Sequence, residues 1–226
     1  MKKLILVLMI LVIVWGIGDR IKNSTSNSKP GFIIITAISP NSFTDFIEFK
    51  KQKYNVKVFQ IDEIKKNSYG VDIPEQIRNS LRANVTNEDK YLLLIGEPTG
   101  NYTWNSTGGD LPMRFSYPIG KNWDWRVATD YYYADLEGNW DKDNDSVYGE
   151  VNDDEINWKP NLIVGRIPSS DPLIVRSILY SYIEFEKQEN LPENMKQKKA
   201  CLAMSTTSLI DYDFNIIALA DLSKVG

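Results

Sequence analysis

"KYLLLIGEP", residues 90–98, decides how the rest of the chain is read. Positions 91–95 form an unbroken apolar run that stops at Gly96-Glu97-Pro98. A strand with one wet face alternates polar and apolar residues, so a run without alternation belongs in a sheet covered on both sides. Upstream, Gly31-Phe32-Ile33-Ile34-Ile35-Thr36 is another buried strand, bounded by Pro30 and Ser39-Pro40, and residues 54–59 alternate as a further one. Between them "SFTDFIEFKKQK" (42–53) sets Phe43, Phe46, Ile47 and Phe49 near helical spacing, with Ser42 or Thr44 as a cap. "DIPEQIRNSLRAN" (72–84) repeats the pattern with Ile73, Ile77 and Leu81 behind an early proline. Strand, helix, strand, helix, strand is the signature of a parallel α/β sheet. Such sheets bind ligands beyond the carboxyl ends of their strands, which is where Gly96 and the residues up to Tyr133 fall.

Downstream the periodicity lapses. Residues 97–160 are a long irregular stretch that carries five of the six tryptophans, and loops of this length are functional or need a device to hold them. A strand resumes at 161–164, Gly165-Arg166 reads as its turn, and a helix is predicted over 171–188 with an apolar stripe of Leu173, Ile174, Ile178, Tyr182 and Phe185. After the polar break "LPENMKQKK" (191–199), residues 200–204 read as a strand and 209–224 as a helix before Gly226. A last helix without a following strand reads as an interrupted α/β unit.

The totals exclude several classes. At 226 residues the chain can build one large domain or two small ones, and its net charge of -4 offers no broad basic footprint for nucleic acid. A single cysteine, Cys201, allows no internal disulfide, so packing or a metal must stiffen the fold. Histidine is absent, which removes the usual general base near neutral pH and the commonest zinc ligand.

Residues 1–18 begin Met1-Lys2-Lys3 and continue as an apolar run from Leu4 to Gly18. The run is short of the roughly 20 residues that span a bilayer and suits a signal-peptide core; an uncleaved anchor and a buried helix are the other readings. The first two export the rest of the chain, because the lysines stay inside. Residues 19–30, "DRIKNSTSNSKP", read as a linker, and Asn23, Asn84, Asn101 and Asn105 stand in N-x-S/T triplets available to glycosylation outside the cell.

Residues 130–155 hold ten of the thirty acidic residues and one basic one, Lys142. Crowded like charges need full solvation or a bound cation. Asp141, Asp143 and Asp145 alternate, and a D-x-D-x-D loop turns three carboxylates toward one centre, as hard oxygen-seeking cations such as calcium require. The loop is not an EF-hand, since Ser146 and Asn152 replace its glycine and glutamate. Glu150 or Asp153 can close the shell with the Val147 carbonyl. The plainer alternative is a solvated acidic turn.

Several stretches, in this order, together resemble the gingipain family of caspase-like cysteine peptidases: "KYLLLIGE" (90–97), "LPMR" (111–114), "TDYYYADLEGNWDKDNDSVYGE" (129–150), "NLIVGRIP" (161–168) and Phe185-Glu186. The resemblance implies an α/β caspase-like (gingipain-type) parallel-sheet sandwich. Residues 31–190 would form its first α/β subdomain, and 191–226 the opening strand and helix of the second, catalytic one. It implies a His-Cys dyad in that second subdomain, with the imidazole taking the thiol proton. Neither catalytic position is present: Cys201 starts a strand and does not match the nucleophile. Asn161 stands where the family often carries an acidic residue that orients the histidine. The resemblance also implies a structural Ca2+ at Asp141, Asp143, Asp145 and Glu150, and places Asp130 beside the substrate cleft. Arg114 and Asp130 either pair or line the specificity pocket, and Tyr131 to Tyr133 either flank that cleft or alternate between core and surface. Gly165-Arg166 fits the family pattern, with a turn glycine and an arginine ion pair as the ordinary reading.

The expected function is therefore an exported gingipain-like cysteine endopeptidase, secreted or held outside the cytoplasm by its N-terminal segment. It is incomplete here, and would act on protein or peptide only when completed by a downstream segment. A non-catalytic, calcium-stabilised surface or adhesion module is the alternative. A weaker third is a sugar-binding module using Trp104, Trp123, Trp125 and Trp140.

Overall fold

The computed structural model describes residues 29–98, 109–118 and 126–187, and the backbone of two strands over 199–204 and 216–221. The leader and linker expected over 1–28 lie outside the described residues. Among those described, no helix is long and apolar enough to cross a membrane.

Four strands make a wholly parallel sheet in the order β2-β1-β3-β6: β1 (Gly31–Thr36), β2 (Asn55–Gln60), β3 (Asp89–Ile95) and β6 (Ile163–Ile167). Ile33 pairs with Lys57 on one side and Leu92 on the other, and Leu94 pairs with Arg166. The central strands are covered on both faces, as the unbroken apolar runs require. Ile33, Ile35, Leu92 and Leu94 form one face. They pack with Ile61 and Ile64 of α2 (Ile61–Asn67), Ile77 and Leu81 of α3 (Ile73–Asn84), and Tyr132 and Tyr133 of the short α4 (Tyr131–Ala134).

Phe32 points to the opposite face, its ring 6.2 Å from Phe46 of α1 (Thr44–Lys51). Lys50 is 2% exposed there, with Nζ 5.2 Å from the Phe32 ring centre and 5.5 Å from those of Phe46 and Tyr54. The cation is thus solvated in part by π-faces.

Local chemistry sets the helix starts. Asp72 caps α3 by accepting the Glu75 amide at 3.0 Å, and the Glu75 carboxylate accepts Val71 N at 2.7 Å. α1 has no such cap: Ser42 and Thr44 are bypassed, because a 3-10 turn over Pro40–Phe43 leads directly into it.

Three expectations need correction. Gly165-Arg166 is not a turn but the middle of β6, where the ladder to β3 pairs Leu93 with Gly165 and continues to Ile167. The helix α5 (Pro172–Lys187) buries Val175, Leu179 and Ile183, four residues apart. The stripe predicted from Leu173, Ile174, Ile178, Tyr182 and Phe185 is exposed. The helix is apolar on two sides, and its periodicity alone cannot choose between them. Finally, the helix expected over 209–224 is a strand over β8 (Ile216–Asp221), antiparallel to β7 (Lys199–Met204), with Cys201 opposite Leu219. An apolar run such as Ile216-Ile217-Ala218-Leu219-Ala220 suits either element, and strand pairing decides it. The reading of an interrupted unit rested on that helix and loses its premise.

Contacts divide the chain into two compact units, residues 1–179 and 180–226. The first holds the parallel sheet and a second small sheet, the hairpin β4 (Arg114–Ser116) and β5 (Val127–Thr129). The second holds the β7–β8 pair.

The amino-terminal rim of the sheet is tied by Asp89, which is buried. Its carboxylate accepts Lys57 Nζ at 2.7 Å, Thr86 N at 2.8 Å and Thr86 Oγ1 at 3.0 Å. A side chain at Gly31 would run into it, which explains a glycine at the start of a strand. Burial pushes the Asp89 carboxyl up, but the bonds from Lys57 and Thr86 outweigh it and hold the group below its ordinary value. A carboxyl depressed on folding adds stability above its unfolded pKa and loses it as pH falls through the folded one. Asp89→Asn should therefore cost about 1.5–3 kcal/mol at pH 7 in urea unfolding. The gap to wild type should close as pH falls below about 4.

Candidate functional site

The long segment after β3 is held on the sheet by an arginine pair from α3. Arg78 is buried and donates to the Asp135 carbonyl through Nε at 2.8 Å and Nη2 at 2.5 Å, and to the Gly138 carbonyl at 2.8 Å. Arg82, one turn on, donates to the carbonyls of Leu136 at 2.7 Å and Gly138 at 3.2 Å. Burial, followed by the neighbouring Arg82, lowers the Arg78 pKa to about 10.

The Asp135 side chain answers from the other direction. It is fully buried, and Oδ1 accepts the amides of Glu137 at 3.1 Å and Gly138 at 2.8 Å. Oδ2 accepts Trp140 Nε1 at 2.8 Å and Asn157 N at 3.0 Å, with Arg78 Nη2 4.0 Å away. A charge this deep is tolerated because four N–H groups and a guanidinium surround it.

Above this clamp the aromatic residues pack. In the helical turn α4, Tyr132 and Tyr133 are buried and Tyr131 is half-buried, so the run does not alternate between core and surface. The Tyr133 hydroxyl donates to the Pro112 carbonyl, and burial raises its pKa. Trp140, expected on the surface as a sugar platform, is buried against Asp135, whereas Trp158 is exposed and stacks on Tyr131 at 5.9 Å. Trp104, Trp123 and Trp125 lie outside the described residues.

Arg114 and Asp130 do not pair with each other. Arg114 forms a bidentate pair with Asp72 at 2.7 and 2.8 Å and lies 4.6 Å from the Tyr132 ring centre and 3.8 Å from that of Tyr148. Burial lowers its pKa, but the Asp72 bond and the surrounding groups raise it further, so it stays charged. It faces the start of α3.

Asp130 pairs with Arg166 of β6, again bidentate, at 2.8 and 2.7 Å. The Arg166 Nη1 also donates to the carbonyls of Gly96 at 3.1 Å and Leu111 at 2.8 Å. Asp130 therefore stands at the carboxyl edge of β3 and β6, where a parallel sheet presents its ligand site. Asp110 and Ser170 join it at that edge: Glu97 N donates to Asp110 Oδ1 at 2.7 Å, and the Ser170 hydroxyl donates to the Asp110 carboxylate. Asn161 lies at the opposite, amino end of β6, accepting Leu136 N at 2.9 Å and donating to Glu137 at 3.0 Å.

In the acidic loop, Asp141, Asp143 and Asp145 each offer a carboxylate oxygen within 4.8 Å of the other two. Glu150 is buried and lies outside this set. Asn144 and Ser146, which flank Asp145, take left-handed φ values of 61° and 66°. Ser146 adopts the conformation that the EF-hand gives to glycine. Three hard oxygens from one turn suit Ca2+ better than a transition metal. A cavity of about 450 Å3 opens between α3 and this loop, walled by Arg78, Tyr132, Asp141 and Tyr148, so Asp141 is reached without opening the core.

A parallel sheet in the order β2-β1-β3-β6, with helices packed on it and polar side chains gathered at its carboxyl edge, is a mixed α/β architecture consistent with a caspase-like peptidase fold. The description "Peptidase family C25" matches residues 25–223, and the chain belongs to that family, the gingipain family of cysteine peptidases. Comparison with curated proteins and with solved structures gives no match.

Arg78 and Asp135 are the residues that sequence reasoning passed over. Arg78→Ala should cost about 3–5 kcal/mol in urea unfolding, because it strands buried carbonyls and a buried carboxylate. Arg82→Ala, at an exposed position, should cost about 1 kcal/mol.

Proposed function

We propose that this chain is the non-nucleophilic α/β subdomain of an exported gingipain-type cysteine endopeptidase, whose imidazole and thiolate are supplied by residues other than these 226. One observation carries the reading: a C25 chain with no histidine has no imidazole to take the proton from a thiol. Cys201 supports it, since it is the third residue of a six-residue strand and not a residue following one. Asp130 and Arg166 border the cleft for a protein or peptide substrate at the carboxyl edge of the sheet. The lysine-flanked apolar residues 1–18 are the reason for proposing export, secreted or held at the membrane by that segment alone.

The same absence of histidine favours a second reading, a non-catalytic, calcium-stabilised surface module. Reading the gene beyond codon 226 separates the two: a histidine-glycine pair and a later cysteine support the peptidase, and a stop codon with no partner chain supports the module. Under both, the purified 226-residue chain should give no peptide hydrolysis that iodoacetamide abolishes. Thiol-dependent turnover by this chain alone would refute them.

Ca2+ is the proposed structural ion, held by Asp141, Asp143 and Asp145 with Glu150 as a further carboxylate. Its charge would offset the mutual repulsion of the three aspartates. At a hundredfold excess over Kd, binding adds about 2.7 kcal/mol, which for a chain of this size is about 5–10 °C in Tm. Chelation should remove that increment and Asp143→Asn should abolish it. A melt unmoved by chelator means a solvated acidic turn.

A further inference from the structure

We propose that the amino-terminal rim of the sheet carries a binding site for a neutral saccharide, with Trp158 as its stacking platform and the cavity at Glu137 as the source of its polar contacts. The walls come from the end of α3, the start of β3 and the residues just before β6. A cavity of about 480 Å3 opens there, lined by Arg82, Asn87, Lys90, Glu137 and Asn161 among others. Asp130 and Arg166 stand at the opposite, carboxyl edge, so this site is separate from the peptide cleft proposed above and does not depend on it.

Among the described residues Trp140 is buried, whereas Trp158 is 72% exposed. A lone exposed aromatic is ordinary, but this one is braced. Its ring stacks on that of Tyr131, the planes 27° apart, and the Tyr131 hydroxyl donates to the carbonyl of Asn157, the residue before Trp158, at 2.8 Å. The brace uses one side of the indole and leaves the rest of it in solvent at a fixed position. Side-chain bonds tie that position to the cavity. Asn157 Nδ2 donates to Glu137 Oε2 at 3.1 Å, Asn161 Nδ2 donates to Glu137 Oε1 at 3.0 Å, and Glu137 and Asn161 both line the cavity.

The chemistry of the walls selects the ligand. Among the described residues that line the cavity, Arg82 and Lys90 are matched by Asp89 and Glu137, so the walls carry no net charge. A phosphate or carboxylate ligand calls for an excess of cations, and an apolar ligand for apolar walls. Hydroxyl groups both donate and accept, so they suit walls that mix the two without net charge. The amides of Asn87 and Asn161, the Glu137 carboxylate and the Lys90 ammonium supply that mixture. The carbon-bound hydrogens on one face of a pyranose ring pack on an indole, whose own face is apolar and electron-rich. A neutral oligosaccharide uses both features at once.

The experiment is affinity electrophoresis of the full chain through native gels containing dextran, pullulan, laminarin or galactomannan, with heparin as the charged comparison. The site predicts retardation by at least one of the neutral polysaccharides and an apparent Kd raised about tenfold or more by Trp158→Ala. Trp158→Tyr, which keeps an aromatic face, should lose less. Asn87→Ala should weaken binding from the cavity side, and it carries the test if the Trp158 variants do not fold. Tyr69→Ala removes a ring that is 87% exposed elsewhere on the surface and should leave the retardation unchanged. A wild-type chain retarded by none of the neutral polysaccharides, or by heparin alone, overturns the proposal. Retardation that survives Trp158→Ala, or that Tyr69→Ala weakens equally, overturns it as well, since the sugar is then held elsewhere or by exposed rings in general.

Discussion

The buried contact between α3 and the segment after it, Arg78 against the carbonyls of Asp135 and Gly138, is the constraint on which the described structure depends. A segment of more than sixty residues between β3 and β6 has no periodicity of its own with which to find the sheet. It is attached through its backbone: arginine donors satisfy carbonyls that water would otherwise need to reach, and the Asp135 carboxylate satisfies the amides of Glu137 and Gly138 on the same turn and of Asn157 further along the chain. Both partners are charged and desolvated, so the arrangement is stable when complete and costly when either half is missing.

From that clamp the two candidate sites follow in opposite directions. The turn at Asp135 directly follows α4, and α4 begins beside Asp130, whose pairing with Arg166 draws in Gly96 and Leu111 at the carboxyl edge of the sheet. In the other direction Trp140 donates to Asp135, and the acidic loop begins at the next residue. Tyr148, near the end of that loop, packs on Arg114, which is itself paired with the cap of α3. The carboxyl edge of the sheet and the acidic loop thus share one support, a single buried turn packed on α3. Membership of the C25 family of cysteine peptidases gives this arrangement its context.

What the sequence discloses is what local periodicity controls. β1, β2, β3, α1 and α3 are legible because apolar spacing specifies them within a dozen residues, whereas the cap expected at Ser42 or Thr44 is not used and apolar spacing does not signal the cap at Asp72. β4, β5 and α4 span only three or four residues each and exist because distant parts of the chain hold them. The exposed side of α5 was misread because Leu173, Ile174 and Ile178 match Val175 and Leu179 in hydrophobicity, and only packing tells the two sets apart. Asp141, Asp143 and Asp145 announce themselves by their spacing. Asp135 does not, since one more acid in an acid-rich segment carries no mark of burial. The single available hint was Arg78 beside the buried Ile77, a cation too close to the core face of α3 to be a solubilising charge.

Hydrogen exchange at the amides of Glu137, Gly138 and Asn157 tests the clamp most directly, since all three donate to the Asp135 side chain. If the clamp governs the fold, these amides exchange only by the opening that exposes β1 and β3, and denaturant lowers the protection of all of them together. Exchange of the three at the rate of a surface loop, while β1 and β3 stay protected, would show that the segment rests on the sheet without being held by it.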